Sequence, residues 1–229
     1  YVKPKLTPRQ VVSEVVASLA GQVLGLPCPQ PYIVSVAPHL VGMPRGSVLT
    51  TFGSAQVGPR SLATPVRSLD VMLELLRKSK LIDAACVFDE WIANSVRGSG
   101  DLVFDPEGQV WLIDHEGALS AGLAPDRAET NWLAQRVLET LTLRQRTAVL
   151  NNWREASLPA QRSQLSRAPV ELARVQRGVE TYKELVQFLE SRLAHLDALL
   201  SLRAVPEQGH IEQTKSEKPN HDADGTSNL

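Results

Sequence analysis

Asp101-Leu102-Val103-Phe104-Asp105-Pro106-Glu107-Gly108-Gln109-Val110-Trp111-Leu112-Ile113-Asp114-His115-Glu116 is the stretch from which the rest of the chain can be read. Asp105-Pro106-Glu107-Gly108 has the residues of a type I turn, with aspartate first, proline second and glycine fourth. The β-branched and aromatic residues of Leu102–Phe104 and Val110–Ile113 flank it, which predicts a β-hairpin. Counting outward from the turn sets Asp101 opposite Leu112, so that Asp114, two residues further on, projects from the same face. Two carboxylates then meet at the open end of the hairpin, with Glu116 close behind. Hard oxygen ligands of this kind suit magnesium, which takes one or two protein carboxylates and completes its shell with water and phosphate.

Upstream, Leu81, Ala85, Phe88 and Ile92 give one helix its apolar face, and the pattern runs out near Asn94 and Ser95. Another helix precedes it, with Ser68 at its start, Asp70 in its first turn and Arg77 and Lys78 in its last, matching the helix dipole at both ends. Residues 27–65 carry prolines, glycines and short runs such as Tyr32-Ile33-Val34 and Ser47–Thr51, which reads as strands and loops. At the beginning, Tyr1-Val2-Lys3 reads as the end of a strand. Thr7-Pro8-Arg9-Gln10 then signals a helix start with cap, first-position proline and capping-box glutamine. Val12, Val15, Val16, Leu19 and Val23 form the buried stripe of that helix, Glu14 falls off its centre, and Gly25 with Pro27 stops it.

Downstream of Asp126 the chain becomes helical, with Trp132, Leu133, Val137 and Leu141 as the expected buried side. A heptad-like seam follows at Leu172, Val175, Val179, Tyr182, Val186, Leu189, Leu193, Leu196 and Leu200, and Gly178 is a candidate break within it. Such a seam packs helices within one domain or across a homodimer. From Arg203 to Leu229 the sequence is polar and is expected to be disordered.

The 229 residues, 43% of them apolar, suffice for one good core or a small lobe beside a larger one. A net charge of −1 supplies no field for nucleic acid or anionic membranes. No apolar run reaches the roughly eighteen residues of a membrane span, and no signal peptide is evident, so a cytoplasmic location is expected. Cys28 and Cys86 lack metal-ligand spacing and read as reduced thiols; His39, His195, His210 and His221 show no ligand spacing either.

Taken in order, Tyr1-Val2-Lys3-Pro4, the helix bearing Glu14 and ending Leu24-Gly25-Leu26-Pro27, Phe88-Asp89-Glu90-Trp91-Ile92-Ala93-Asn94, and Trp111-Leu112-Ile113-Asp114-His115-Glu116 resemble the HipA-like kinase family. The resemblance implies an α+β, protein-kinase-like fold: a partial, β-containing N-lobe over residues 1–66 and a mainly helical C-lobe over 67–202. It also implies ATP and Mg2+ as cofactors. Lys3 then matches the lysine that contacts nucleotide phosphates, Glu14 the glutamate that pairs with it, and Asp114 the aspartate that holds magnesium. The chain opens at Tyr1, and the glycine-rich segment that covers the phosphates in the family is expected upstream of it.

The chain departs from the family at the catalytic loop. Where the family carries N-x-D-R-H-x-x-N, this sequence has Asn94-Ser95-Val96-Arg97-Gly98-Ser99-Gly100-Asp101. Val96 replaces the catalytic aspartate, Gly98 the histidine, and Asp101 the metal-binding asparagine, the last change keeping an oxygen ligand. Valine accepts no proton, so the roughly hundred- to ten-thousand-fold contribution of a general base is forfeited. Asp89 and His115 are candidate substitutes, although Asp89 reads more naturally as a brace for the loop and His115 as a residue that orients the metal loop. The expected function is a kinase-fold protein that binds Mg-ATP, with phosphoryl transfer to a protein serine or threonine weakened or lost. The alternative is a pseudokinase module that assembles through its C-terminal helix with a protein partner.

Overall fold

The structure, a computed structural model, describes residues 1–57, 64–65, 68–105, 107–162, 165 and 168–204. Strand β1 (Val2–Lys3) leads into helix α1 (Pro8–Val23). Thr7 caps that helix as its sequence requires: its hydroxyl accepts from Gln10 N, and the Gln10 side chain accepts from Thr7 N at 3.0 Å. Gly25, at φ 72°, closes α1 with Leu26 N donating to Gly21 O and Gly25 N to Gln22 O, both at 3.0 Å, a left-handed stop before Pro27. Gly21 is glycine for space, since a Cβ there would stand 2.4 Å from Cys28 Sγ.

Strands β2 (Pro31–Val36) and β3 (Leu49–Ser54) follow, and the first sheet has the order β1-β3-β2, all antiparallel, with Lys3 opposite Phe52. The strand expected at Ser47–Thr51 therefore sits two to three residues later. A second antiparallel sheet joins β4 (Thr64–Pro65), β5 (Leu102–Phe104) and β6 (Val110–Leu112). Between the two sheets in sequence lie α2 (Leu69–Lys78) and α3 (Ile82–Trp91). The remainder is helical: α4 (Trp132–Leu138), α5 (Leu143–Arg162), α6 (Gly178–Leu193) and α7 (Leu196–Ala204). This is an α+β fold.

One apolar core runs from Val12 in α1 through Phe88 and Trp91 in α3 to Leu189 in α6 and Leu200 in α7. Helix α1 packs on α6, and α3 on α5 and α7. Each fully buried valine or leucine contributes about 1.5–3 kcal/mol. The seam is broken at Gly178, where α6 begins, and again between α6 and α7. Leu172, Val175, Tyr182, Leu189, Leu196 and Leu200 are buried within the chain.

Three expectations are corrected. The hairpin register is shifted by one residue: Leu102, not Asp101, lies opposite Leu112, because Asp105 N pairs with Gln109 O across a turn whose Gly108 is left-handed at φ 80°. Pro106 lies outside the described residues. Trp132 is not buried; its indole N–H leaves the helix face to donate to Ser95 O at 3.0 Å. Leu202 to Ala204 belong to α7, with Arg203 bonded to Glu90, so the tail expected from residue 203 does not begin there. Residues 205–229 lie outside the described residues. No helix among the described residues is long and apolar enough to cross a membrane.

Candidate functional site

Pairing of β1 with β3 places Lys3 above the end of β6, and Thr51 Oγ1 donates to Lys3 O to fix its backbone. The Lys3 ammonium donates to Glu14, to Asp114 Oδ1 at 2.7 Å and to Glu116 Oε2 at 3.2 Å. Burial opposes that ammonium, but the Glu14 carboxylate, with Asp114 beside it, holds its pKa above the ordinary lysine value. Glu14 is 1% exposed and its second oxygen accepts from His115 N at 3.0 Å. One buried carboxylate thus ties β1 to the loop that carries Asp114.

Asp114 has left-handed backbone, φ 60°, a conformation that aspartate adopts more readily than most residues but still at a cost of about 1 kcal/mol. That kink ends the strand alternation and turns the carboxylate toward Lys3. Asp101 goes elsewhere: Ile113 N donates to its carbonyl at 2.8 Å, and its side chain accepts from Gly98 N at 2.8 Å. Burial raises the Asp101 carboxyl above its usual range, and Asp114 is near enough to add to this, against the pull of Gly98 N–H and Arg97. Among the described residues, Glu14, Asp114 and Glu116 form a group of three carboxylates whose oxygens lie within 4.8 Å of one another. Glu116 thus joins Asp114 and Glu14 in this cluster, while Asp101 stands close enough to Asp114 for the two charges to interact.

The loop after α3 begins with Ala93 at φ 51° and Asn94 N donating to Asp89 O at 2.8 Å. Asp89, 1% exposed, then accepts from Asn94 Nδ2 at 3.2 Å and from Arg97 Nη2 at 2.8 Å. Arg97 continues to Ile113 O at 3.0 Å and faces His115 Nδ1 at 3.2 Å. Because a guanidinium only donates, that ring nitrogen accepts, and Nε2 carries the hydrogen. His115 Nε2 is buried with no hydrogen-bond partner among the described residues, and its ring meets Phe88 edge-on at 5.3 Å. Burial, then the charges of Arg97 and Lys3, holds its pKa well below the usual histidine value. Asp89 is thus consumed as a brace, and His115 links the two loops as a neutral ring. Val96 projects from the same loop and is 60% exposed.

A cleft of about 670 Å³ opens beside these groups, lined by Lys3, Glu14, Asp114 and His115 and walled by Phe52 and Leu112. A family-wide sequence model described as HipA-like kinase matches residues 1–140, more than half of the chain. The chain belongs to the HipA-like kinase family. Lys3, Glu14, Asp89, Asp101 and Asp114 all fall inside the matched range. A search of curated proteins finds no match. Among solved structures, the crystal structure of a Helicobacter pylori proinflammatory kinase, CtkA, is similar at 15% identity and a TM-score of 0.44, covering 89% of this chain and 86% of that one.

Lys3, Glu14 and Asp114, singled out in the sequence, meet at this HipA-like site, and Glu116 was named there beside the two aspartates, but Arg97 and Glu90 were assigned no role. Glu116 was visible as the third acid of the hairpin. Arg97 and Glu90 gave no signal, since a buried charge reads in sequence like any other. Glu90 is 1% exposed and accepts from Arg192 Nη2 at 3.3 Å, Arg203 Nε at 2.9 Å and Asn131 Nδ2 at 3.2 Å. Arg192 also donates to Pro125 O at 2.9 Å and Arg127 O at 2.7 Å, which fastens the segment after the Asp114 loop to α6.

Proposed function

We propose that this HipA-like chain binds a magnesium nucleotide in the cleft and that its transfer of the γ-phosphoryl group to a protein serine or threonine is weakened or lost. The observation that carries the reading is the Lys3 ammonium joined to buried Glu14 and to Asp114 at the cleft floor, within the range that matches the family. The residues present fit the group. Asp114 and Glu116 offer hard oxygens to magnesium, Lys3 offers donors to phosphate oxygens, and Glu14 keeps the lysine extended. The cleft volume, about 670 Å³, lies within the usual size of a small-ligand site, and Val2 and Val103 offer apolar surface to a base. Bound magnesium would neutralise charge on the phosphates. Calorimetry with ATP and Mg2+ tests this: micromolar to millimolar binding is expected, weakened at least tenfold by Asp114→Ala. No binding by the wild type, or none of this loss, removes the proposal.

A second reading, a pseudokinase that serves as a scaffold, is favoured by Val96. Transfer to a hydroxyl moves the phosphoryl group to the acceptor oxygen, leaves ADP, and requires the hydroxyl proton to find a base; an exposed valine provides none. Incorporation of label from γ-labelled ATP separates the readings. Rapid turnover by the unaltered chain rules out the scaffold, whereas turnover that appears only in Val96→Asp, by roughly a hundredfold or more, supports it.

A further inference from the structure

Glu14, Asp114 and Glu116 present oxygens within 4.8 Å of one another, and the group that stands among them is the Lys3 ammonium, bonded to all three. Toward those oxygens a three-donor ammonium plays the part that a metal ion plays, bringing positive charge to a set of hard acceptors. The three bonds are unequal. Glu14 is 1% exposed on its side chain, whereas Asp114 and Glu116 are 42% and 38% exposed. A buried pair costs far more to break than a solvated one, so Lys3 has one permanent partner and two exchangeable ones. Its backbone is pinned by Thr51 and by the pairing with Phe52, so exchange is left to the side chain alone.

We infer that Lys3 is the resident cation of the free site, and that it must leave Asp114 and Glu116 while keeping Glu14 before a divalent ion can bind there. The inference rests on the nucleotide-binding reading of the cleft. A free metal ion displaces an ammonium that gains nothing in return. A metal–nucleotide complex offers the displaced ammonium phosphate oxygens within the same cleft. The site therefore selects the complex over the bare ion, and metal and nucleotide each raise the other's affinity by the same factor.

The test measures binding of Mn2+ alone by electron paramagnetic resonance, without nucleotide, to wild type, Lys3→Met and Lys3→Met/Glu116→Gln, with Mg-ATP affinity measured alongside. Lys3→Met is expected to bind Mn2+ at least tenfold more tightly than wild type and Mg-ATP at least tenfold more weakly, and Glu116→Gln is expected to erase the gain for Mn2+. Equal or weaker Mn2+ binding by Lys3→Met overturns the inference, even where the wild type binds Mg-ATP and the proposed function stands. Conversely, a wild type that binds no Mg-ATP defeats that function while the Mn2+ comparison still decides this point. Lys3→Met leaves Glu14 buried without its cation. Lys3→Met/Glu14→Gln, which removes both charges of the buried pair and keeps Asp114 and Glu116, gives the same comparison if the single variant does not fold.

Discussion

At position 117 a side chain has no room, because a Cβ there would stand 2.2 Å from Val96 Cγ2. Val96 is thus packed against the loop that carries Asp114 as well as exposed to solvent. Gly117→Ala is expected to lower the melting temperature, and Val96→Ala is expected to relieve that loss; the double-mutant cycle should return a coupling of about 1 kcal/mol or more, and additive effects would deny the contact. His115 makes a separate prediction. Its folded pKa lies well below the ordinary 6.5, so the unfolded chain binds the extra proton first as pH falls. Its contribution is intact above about pH 6.5 and is lost progressively below it. Denaturant titrations from pH 7 to 5 should show a slope that His115→Gln flattens by up to about 1.4 kcal/mol per pH unit. Neither feature is legible in sequence: Gly117 reads as loop punctuation, and His115 as a neighbour of a metal ligand, until the fold sets Val96 and Arg97 beside them.

Among the elements, α1 and the β5–β6 hairpin were readable because their signals are local. Thr7 and Gln10 sit at capping distance, and Asp105 and Gly108 mark the turn. What sequence lacked was the geometry at element ends. Ala93 and Asp114 both take left-handed backbone without being glycine, and these two residues aim the loop after α3 and the Asp114 carboxylate. Ideal strand alternation therefore set Asp101 opposite Leu112, where Leu102 stands. Asp89 shows how such an end is held, with its carboxylate fully buried against Arg97. Asp89→Ala would strand the guanidinium, so urea unfolding should show a loss of about 3–5 kcal/mol. A loss below about 1 kcal/mol would mean the pair is solvated.

For the whole molecule, the heptad-like seam could have belonged to a bundle or to a dimer, because periodicity names a buried face and not what buries it. Here α1 and α3 do so, and Leu189 is 0% exposed with Trp91 Nε1 donating to its carbonyl at 2.9 Å. Leu189→Lys is accordingly expected to abolish cooperative unfolding in circular dichroism. A folded variant with a changed sedimentation coefficient would instead place the seam between chains. The same packing gives the protein a built-in optical gauge. Of its four tryptophans, Trp91 and Trp153 are enclosed at 1% and 0% exposure and Trp111 is half-buried with its indole held by Asp105, while Trp132 is 48% exposed and hooked by its indole to Ser95. In a Trp111→Phe background, light emitted from that ring, and its accessibility to a quencher such as acrylamide, follows the posture of the segment bearing Val96, with no label to attach.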